Sequence, residues 1–137
     1  MEKAKILEEI SKVSRGTLID HLGIEFTDIG DHCLTGRMVV GPMTSQPMGL
    51  LHGGASLVLA ETLASVAGTL ELDMEKQYCV GMEINANHVK SAREGFVTGI
   101  AKAIHLGRKT QIWQIHIRDE QDRLICVSRM TLAVMDK

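Results

Sequence analysis

One carboxylate stands alone in the most apolar stretch of this chain. Between Ala55 and Leu70 the only charged side chain is Glu61. An ionised carboxylate costs free energy to bury unless it is paired or hydrogen-bonded, so an acid placed there is expected to have a use. Burial and neighbours tune the basicity of such a group, which suits it to take a proton from water or to attack a carbonyl directly. Upstream, His52-Gly53-Gly54 falls where a helix should open. Unpaired N–H groups at a helix start attract negative charge, and the N–H of Gly53 is a candidate donor to a developing oxyanion. Gln46 and His52 flank this turn, either as polar groups of a site or as loop side chains with satisfied hydrogen bonds. A lone acid and an oxyanion donor on one element point to acyl chemistry.

The spacing adds a constraint. At about 1.5 Å per residue, Gly53 and Glu61 lie roughly 12 Å apart along one helix. A glutamate side chain closes only part of that gap, so a single chain does not bring both to one carbonyl. If both act, two antiparallel helices build the site, with Gly53 from one protomer and Glu61 from its partner. A two-fold axis then gives two sites and an obligate homodimer. Ser65 lies one turn beyond Glu61 on the same face. It either orients a water or the carboxylate, or bonds to its own helix backbone. Met43, Met48 and Val66 are candidates to line an apolar pocket, and methionine specifies size poorly.

Two basic clusters remain, one of His88, Lys90 and Arg93, the other of His105, Arg108 and Lys109. Each alone reads as a solvated rim. If they fall at adjoining strand ends they converge on one patch suited to phosphates. No GxGxxG or Walker pattern occurs and no His/Cys/Asp cluster has metal spacing, so no nucleotide cofactor and no metal is expected.

The elements that must hold these residues follow from pattern. Residues 2–14 read as a short amphipathic helix, and 17–21 as a further helical turn. Strands are expected over about 23–29 and 34–41, then a loop bracketed by Pro42 and Pro47. The central helix runs over about 53–70, apolar nearly all round and therefore expected to be surrounded on most sides. Its Ala60, Ala64, Ala67 and Gly68 would let a sheet approach closely. Strands over about 78–89, 94–105, 109–118 and 123–134 read as an antiparallel meander, with hairpin signals at 93–95, 106–107 and 119–122. Trp113, Ile115 and Ile117 alternate with polar residues and give that strand one core face. The result is an α+β fold, a single domain over 1–137 with its sheet curled round the helix.

Composition narrows the function classes. The chain has 137 residues, 45% of them hydrophobic and 23% charged, with a net charge of −2, so it reads as globular, with no global attraction to nucleic acid. Aromatics are few, so no base-stacking platform is visible. Cys33, Cys79 and Cys126 are odd in number and widely spaced, which favours reduced, buried thiols over a disulfide framework. The charged N-terminus lacks a signal-peptide core, and no run is expected to cross a bilayer. A cytoplasmic protein with no membrane partner is expected.

The runs QPMGLLHGGASLVLAETLASVAG, GMEINANHVKSAREG and HLGRKTQIWQI resemble the hotdog-fold acyl-CoA thioesterases, in the branch that uses a glutamate. The resemblance covers essentially the whole chain, from about Leu18 to Met135. It implies an antiparallel sheet of five or six strands wrapped round one long helix, paired into dimers and then tetramers. It implies hydrolysis of aromatic acyl-CoA, with 1,4-dihydroxy-2-naphthoyl-CoA of menaquinone biosynthesis as the first expectation. A broader activity on benzoyl-type or medium-chain acyl-CoA is the alternative. Glu61 would be nucleophile or general base, and the Gly53 N–H, with Gln46 and His52 nearby, would polarise the thioester carbonyl. Ser65 would help place the hydrolytic water. His88, Lys90, Ser91, Arg93 and the Gly107-Arg108 turn match the regions that hold the coenzyme A nucleotide, and coenzyme A enters only as part of the substrate. Lys90 stands where the naphthoyl-type members carry arginine, which keeps the charge and loses the bidentate fork. Two other classes fit less well. A non-catalytic acyl-CoA sensor would usually carry a DNA-binding segment, and the 22 or so residues before the first strand are too few and not basic enough. A hydratase needs a histidine beside the acid at suitable helix spacing.

Overall fold

The computed structural model describes residues 2–137. Two short helices, α1 (Lys3–Ser14) and α2 (Leu18–His21), precede strands β1 (Glu25–Gly30) and β2 (Cys33–Val39). A 3-10 turn (Pro42–Thr44) leads to the central helix α3 (Gly53–Leu70). Strands β3 (Gln77–His88), β4 (Phe96–Leu106), β5 (Thr110–Arg118) and β6 (Leu124–Asp136) complete one six-stranded sheet. All pairings are antiparallel, in the order β1-β2-β4-β5-β6-β3.

The sheet packs on one side of α3. Leu59, Ala60, Leu63 and Ala64 are fully buried there, as are Trp113, Ile115 and Ile117 of β5. The small residues act as expected. A Cβ at Gly68 would collide with the Leu132 side chain, so glycine sets how closely β6 approaches. Gln111 is buried on the same face as Trp113. Its Nε2 donates to the Gly68 carbonyl at 3.2 Å and its Oε1 accepts from Trp113 Nε1 at 2.9 Å. The Gly68 carbonyl also accepts from the Glu71 N–H at 3.2 Å, so Gln111 gives this late helix carbonyl a second donor.

Three expectations need correction. First, the last four strands do not form a simple meander. The signals at 106–107 and 119–122 are hairpins, but 93–95 belongs to a crossover. β3 pairs with β6 at the far edge, while β4 pairs with β2 and β5. Segment 89–95 therefore crosses three inter-strand spacings, roughly 14 Å, over the strand ends. Second, α3 is not surrounded on most sides. Leu57, Val58, Thr62, Ser65 and Val66 are only half-buried, on the side away from the sheet. Third, α3 is long and apolar enough by length and composition to cross a membrane, with mean hydropathy 1.3 over 18 residues. Its sheet-facing residues are packed as core, which is the other way such a helix is satisfied.

Candidate active site

The loop before α3 is tied by Gln46. Its backbone N–H donates to the Leu50 carbonyl at 2.8 Å, and its Oε1 accepts from the N–H groups of Met48 at 2.5 Å and Leu50 at 3.3 Å. Gly49 adopts φ +79° to close the turn, a conformation that favours glycine. With its oxygen engaged, the Gln46 amide has Nε2 as its free end. Gln46 lines a cavity of about 320 Å³ together with Gly53, Ser56, His88, Lys90 and Ser91. The sequence signal for Ser56 is its spacing three residues beyond Gly53, which puts it on the same helix face.

His52 is the N-cap of α3. Its Nδ1 accepts from the Gly54 N–H at 2.8 Å, and its carbonyl accepts from the N–H groups of Ala55 and Ser56. These bonds satisfy three of the first four helix donors and leave the Gly53 N–H with no acceptor among the described residues. The His52 ring is exposed and is not part of the cavity lining, so its contribution is to cap the helix and hold the turn. His88 takes the place over Gly53: a Cβ there would lie 3.0 Å from His88 Nε2. Glycine is what permits this approach.

The crossover brings Lys90 and Ser91 to the same spot. The N–H groups of Val89 and Lys90 both reach the Ile125 carbonyl, and the Ala92 carbonyl accepts from Leu51 N–H at 2.8 Å. Arg93 lies farther out, in a mixed-charge cleft with Glu94, Glu120, Asp119 and Arg123. Burial acts to raise the Asp119 pKa, but N–H groups of Arg123 and Gln121 and the Arg123 guanidinium at 2.8 Å hold it below the usual carboxylate range.

Glu61 departs from expectation. It is exposed, on the open side of α3. Its Oε2 lies close to the backbone of edge strand β3, 3.5 Å from where a Gly81 Cβ would stand. It borders a second groove of about 360 Å³ with Leu18, Ile19, Thr62, Ser65 and Val66. The Ser65 hydroxyl makes no bond to its own helix among the described residues; the Ser65 carbonyl accepts from Thr69 Oγ1 at 2.8 Å.

The expected site residues therefore form two groups. Gln46, Gly53, His88, Lys90 and Ser91 meet at the helix tip, while Glu61, Ser65 and Val66 meet half-way along it. Met43 and Met48 are exposed and line neither cavity. The two basic clusters do not converge within one chain. His88 pairs with Cys126 at the start of β6, whereas the Gly107-Arg108 turn lies beside the end of β6, where Thr110 pairs with Ala133. The length of β5 separates them, roughly 30 Å.

A family model described as the thioesterase superfamily matches residues 48–126. The 1,4-dihydroxy-2-naphthoyl-CoA hydrolase of Escherichia coli K12 is 53% identical over 134 residues, covering 97% of this chain and 98% of that protein. The proofreading thioesterase EntH of Cronobacter turicensis is 50% identical over 129 residues, covering 94% and 93%. A crystal structure of a mutant of thioesterase PA1618 from Pseudomonas aeruginosa superposes with a TM-score of 0.94 at 45% identity, covering 96% of this chain and 94% of that one. A six-stranded antiparallel sheet over one long helix, a free N–H at the helix tip and relatives of this closeness agree: the chain is a thioester hydrolase and belongs to the hotdog-fold thioesterase superfamily.

Proposed function

We propose that this enzyme hydrolyses aromatic acyl-CoA thioesters, with 1,4-dihydroxy-2-naphthoyl-CoA as its physiological substrate, at sites shared between two protomers. The observation that carries the reading is the unpaired Gly53 N–H at a cavity that also holds the free Nε2 of Gln46, with Glu61 about two helical turns away on the open face. Two antiparallel α3 helices close that separation. Water adds its oxygen to the thioester carbon as Glu61 of one protomer takes its proton, and the Gly53 N–H of the partner, with Gln46, stabilises the oxyanion. Collapse breaks the C–S bond, and the coenzyme A thiolate takes up the proton. Direct attack by Glu61, with an anhydride that water then opens, is the other route. Oxygen-18 entering Glu61 in a single turnover separates the two.

His88, Lys90 and Ser91 stand beside the tip cavity, where the substrate's phosphates and pantetheine arm would pass. Arg93, Gly107 and Arg108 are assigned to the nucleotide end. The distance between the two basic regions within one chain favours a reading in which Gly107 and Arg108 serve a site of another copy, in a dimer of dimers. The outer edge of β3, which pairs only with β6, supports association with a further copy, since Tyr78, Val80 and Met82 are exposed along it. No cofactor is required, and the cytoplasm is the expected compartment.

The shared site has a direct test. Glu61→Gln and Gly53→Pro proteins, each inactive alone, are mixed after reversible dissociation. Random pairing makes half the dimers mixed, each with one intact site, so about a quarter of wild-type thiol release should return. Confirmed mixed dimers without activity would overturn the assignment.

A further inference from the structure

We propose that Ser56 is a further catalytic residue of this enzyme, its hydroxyl donating to the thioester oxygen alongside the Gly53 N–H of the same protomer. This rests on the oxyanion placement proposed above and adds a residue to that site.

Ser56 lies on the sheet-facing side of α3 and is only 1% exposed. The other buried hydroxyls are engaged. Ser14 Oγ donates to the Ile10 carbonyl at 2.8 Å, Thr44 Oγ1 to the Val39 carbonyl at 2.9 Å and Ser128 Oγ to the Asn85 carbonyl at 2.8 Å. The Ser56 hydroxyl makes no hydrogen bond among the described residues. None of their buried side-chain oxygens is sealed in without a partner, so this one opens on the tip cavity, which Ser56 lines. Its usual acceptor is closed to it. A helix serine often bonds the carbonyl four residues back, here that of His52. That carbonyl already accepts from the N–H groups of Ala55 and Ser56, at 3.0 and 3.2 Å, and a carbonyl oxygen has two lone pairs.

Helix side chains lean toward the N-terminus, so the Ser56 hydroxyl lies over the first turn of α3, beside Gly53. Backbones three residues apart are separated by roughly 4.5 Å along the axis. Unlike Glu61, Ser56 therefore reaches the same carbonyl oxygen as Gly53 from within one chain. The cavity wall there is apolar: Ala92 and Ile125 are buried and offer no side-chain acceptor, whereas His88, Lys90 and Ser91 are exposed at the rim. A hydroxyl without a partner in such surroundings costs stability. The negative oxygen of the tetrahedral intermediate is the acceptor that the resting protein lacks. A donor fixed beforehand and shielded from water stabilises that charge most. The Ser56 hydroxyl, the Gly53 N–H and Gln46 Nε2 then give one donor to each lone pair of that oxygen.

The test follows thiol release from benzoyl-CoA by the wild type, Ser56→Ala and Ser56→Cys. Loss of one oxyanion donor typically costs about 10²- to 10³-fold in kcat. Both variants should lose at least about tenfold in kcat, with KM changed less than about threefold. The thiol keeps the volume but is a weak donor, so full activity in Ser56→Cys would make the role one of packing and overturn the proposal. Ser56→Ala should melt at or above the wild-type temperature, because it removes an unpartnered hydroxyl and places alanine in a helix. A lower melting temperature with unchanged kcat would mark a structural serine and overturn it too. Coenzyme A lacks the carbonyl, so its Kd should change less than about twofold in Ser56→Ala, below the effect of one lost hydrogen bond. Weaker coenzyme A binding with unchanged kcat would move the contact to the pantetheine arm and overturn the assignment. Phenacyl-CoA, a thioether ketone that resists hydrolysis, reports on the carbonyl without catalysis. Its bound C=O stretch should move to higher frequency in Ser56→Ala and in Gly53→Pro alike. A shift in Gly53→Pro alone defeats the role of Ser56 and leaves Gly53 standing; no shift in either defeats the oxyanion reading of the helix tip and this proposal with it.

Discussion

The tip of α3 and its middle, to which the proposed mechanism gives the two halves of one reaction, are built differently. At the tip, almost every polar group is already placed by the chain itself. His52 caps Gly54, Gln46 fixes its own loop, and His88 closes over Gly53, so one N–H and one amide remain free beside a cavity. Half-way along the helix, Glu61 has no such support. It stands exposed beside an apolar groove, at the boundary between the open side of α3 and edge strand β3. Donors that stabilise charge act best when fixed beforehand. A carboxylate that accepts a proton needs its final surroundings only when substrate and a second protomer are in place. On the shared-site proposal, preorganisation and activation are divided between one chain and its partner.

Removing the acid should have the largest effect. Glu61→Gln keeps the shape and abolishes the base, so kcat should fall by about 10²- to 10⁴-fold. The melting temperature should barely move, since the side chain is exposed. A turnover number within threefold of wild type would sink the assignment of Glu61. Next comes the tip. Gly53 is the first helical residue, where proline is well tolerated, and His52 before it is already extended, at φ −68° and ψ 130°, as a residue preceding proline must be. Gly53→Pro therefore deletes the N–H with little cost to the helix, and kcat should fall by about 10²- to 10³-fold. Gly53→Ala adds a similar contact with His88 but keeps the donor. If both variants lose equally, the effect is steric and the N–H is not the oxyanion donor.

A subtler change probes Gln46. In Gln46→Glu the carboxylate still accepts from Met48 and Leu50 N–H, so the loop should persist. An acceptor then stands where Nε2 offered a donor, and kcat/KM should drop about tenfold, the scale of one hydrogen bond lost to a polarised group. Unchanged kcat/KM would confine Gln46 to holding the loop.

Much of this was legible in the sequence, and what was not has a common cause. α3 has the bounds its pattern implies, because a capping turn and a long apolar run are local signals. The six strands lie within two residues of expectation for the same reason. Their order did not follow, since an Arg-Glu-Gly turn signal reads alike in a hairpin and in a crossover. That one ambiguity matters to the site, because the crossover is what carries Lys90 and Ser91 over the helix tip. The exposure of Glu61 was equally hidden. An apolar helix face reads as buried whether a sheet or a second protomer covers it, and the chain alone supplies only the sheet.

The far end of α3 offers the smallest effect and a control for the whole comparison. Glu71 is the C-cap of the helix, and His32, at the tip of the β1–β2 turn, meets it with Nδ1 2.6 Å from Oε1. The hydrogen bond to Glu71, the Glu71 charge and the Asp31 charge raise the His32 pKa above its usual value of 6.5. Because the folded state holds this proton more tightly, the stabilisation is fully present below the unfolded pKa and is lost as pH rises through the folded one. His32 has φ +51°, which asparagine tolerates, so His32→Asn removes the titrating group without straining the turn. The mutant should melt lower than wild type near pH 5.5, and the gap should close by about pH 9. Its kcat should stay unchanged, because the pair lies more than two helical turns from Glu61. A gap that persists at high pH would mean that the turn, not the proton, supplies the stability.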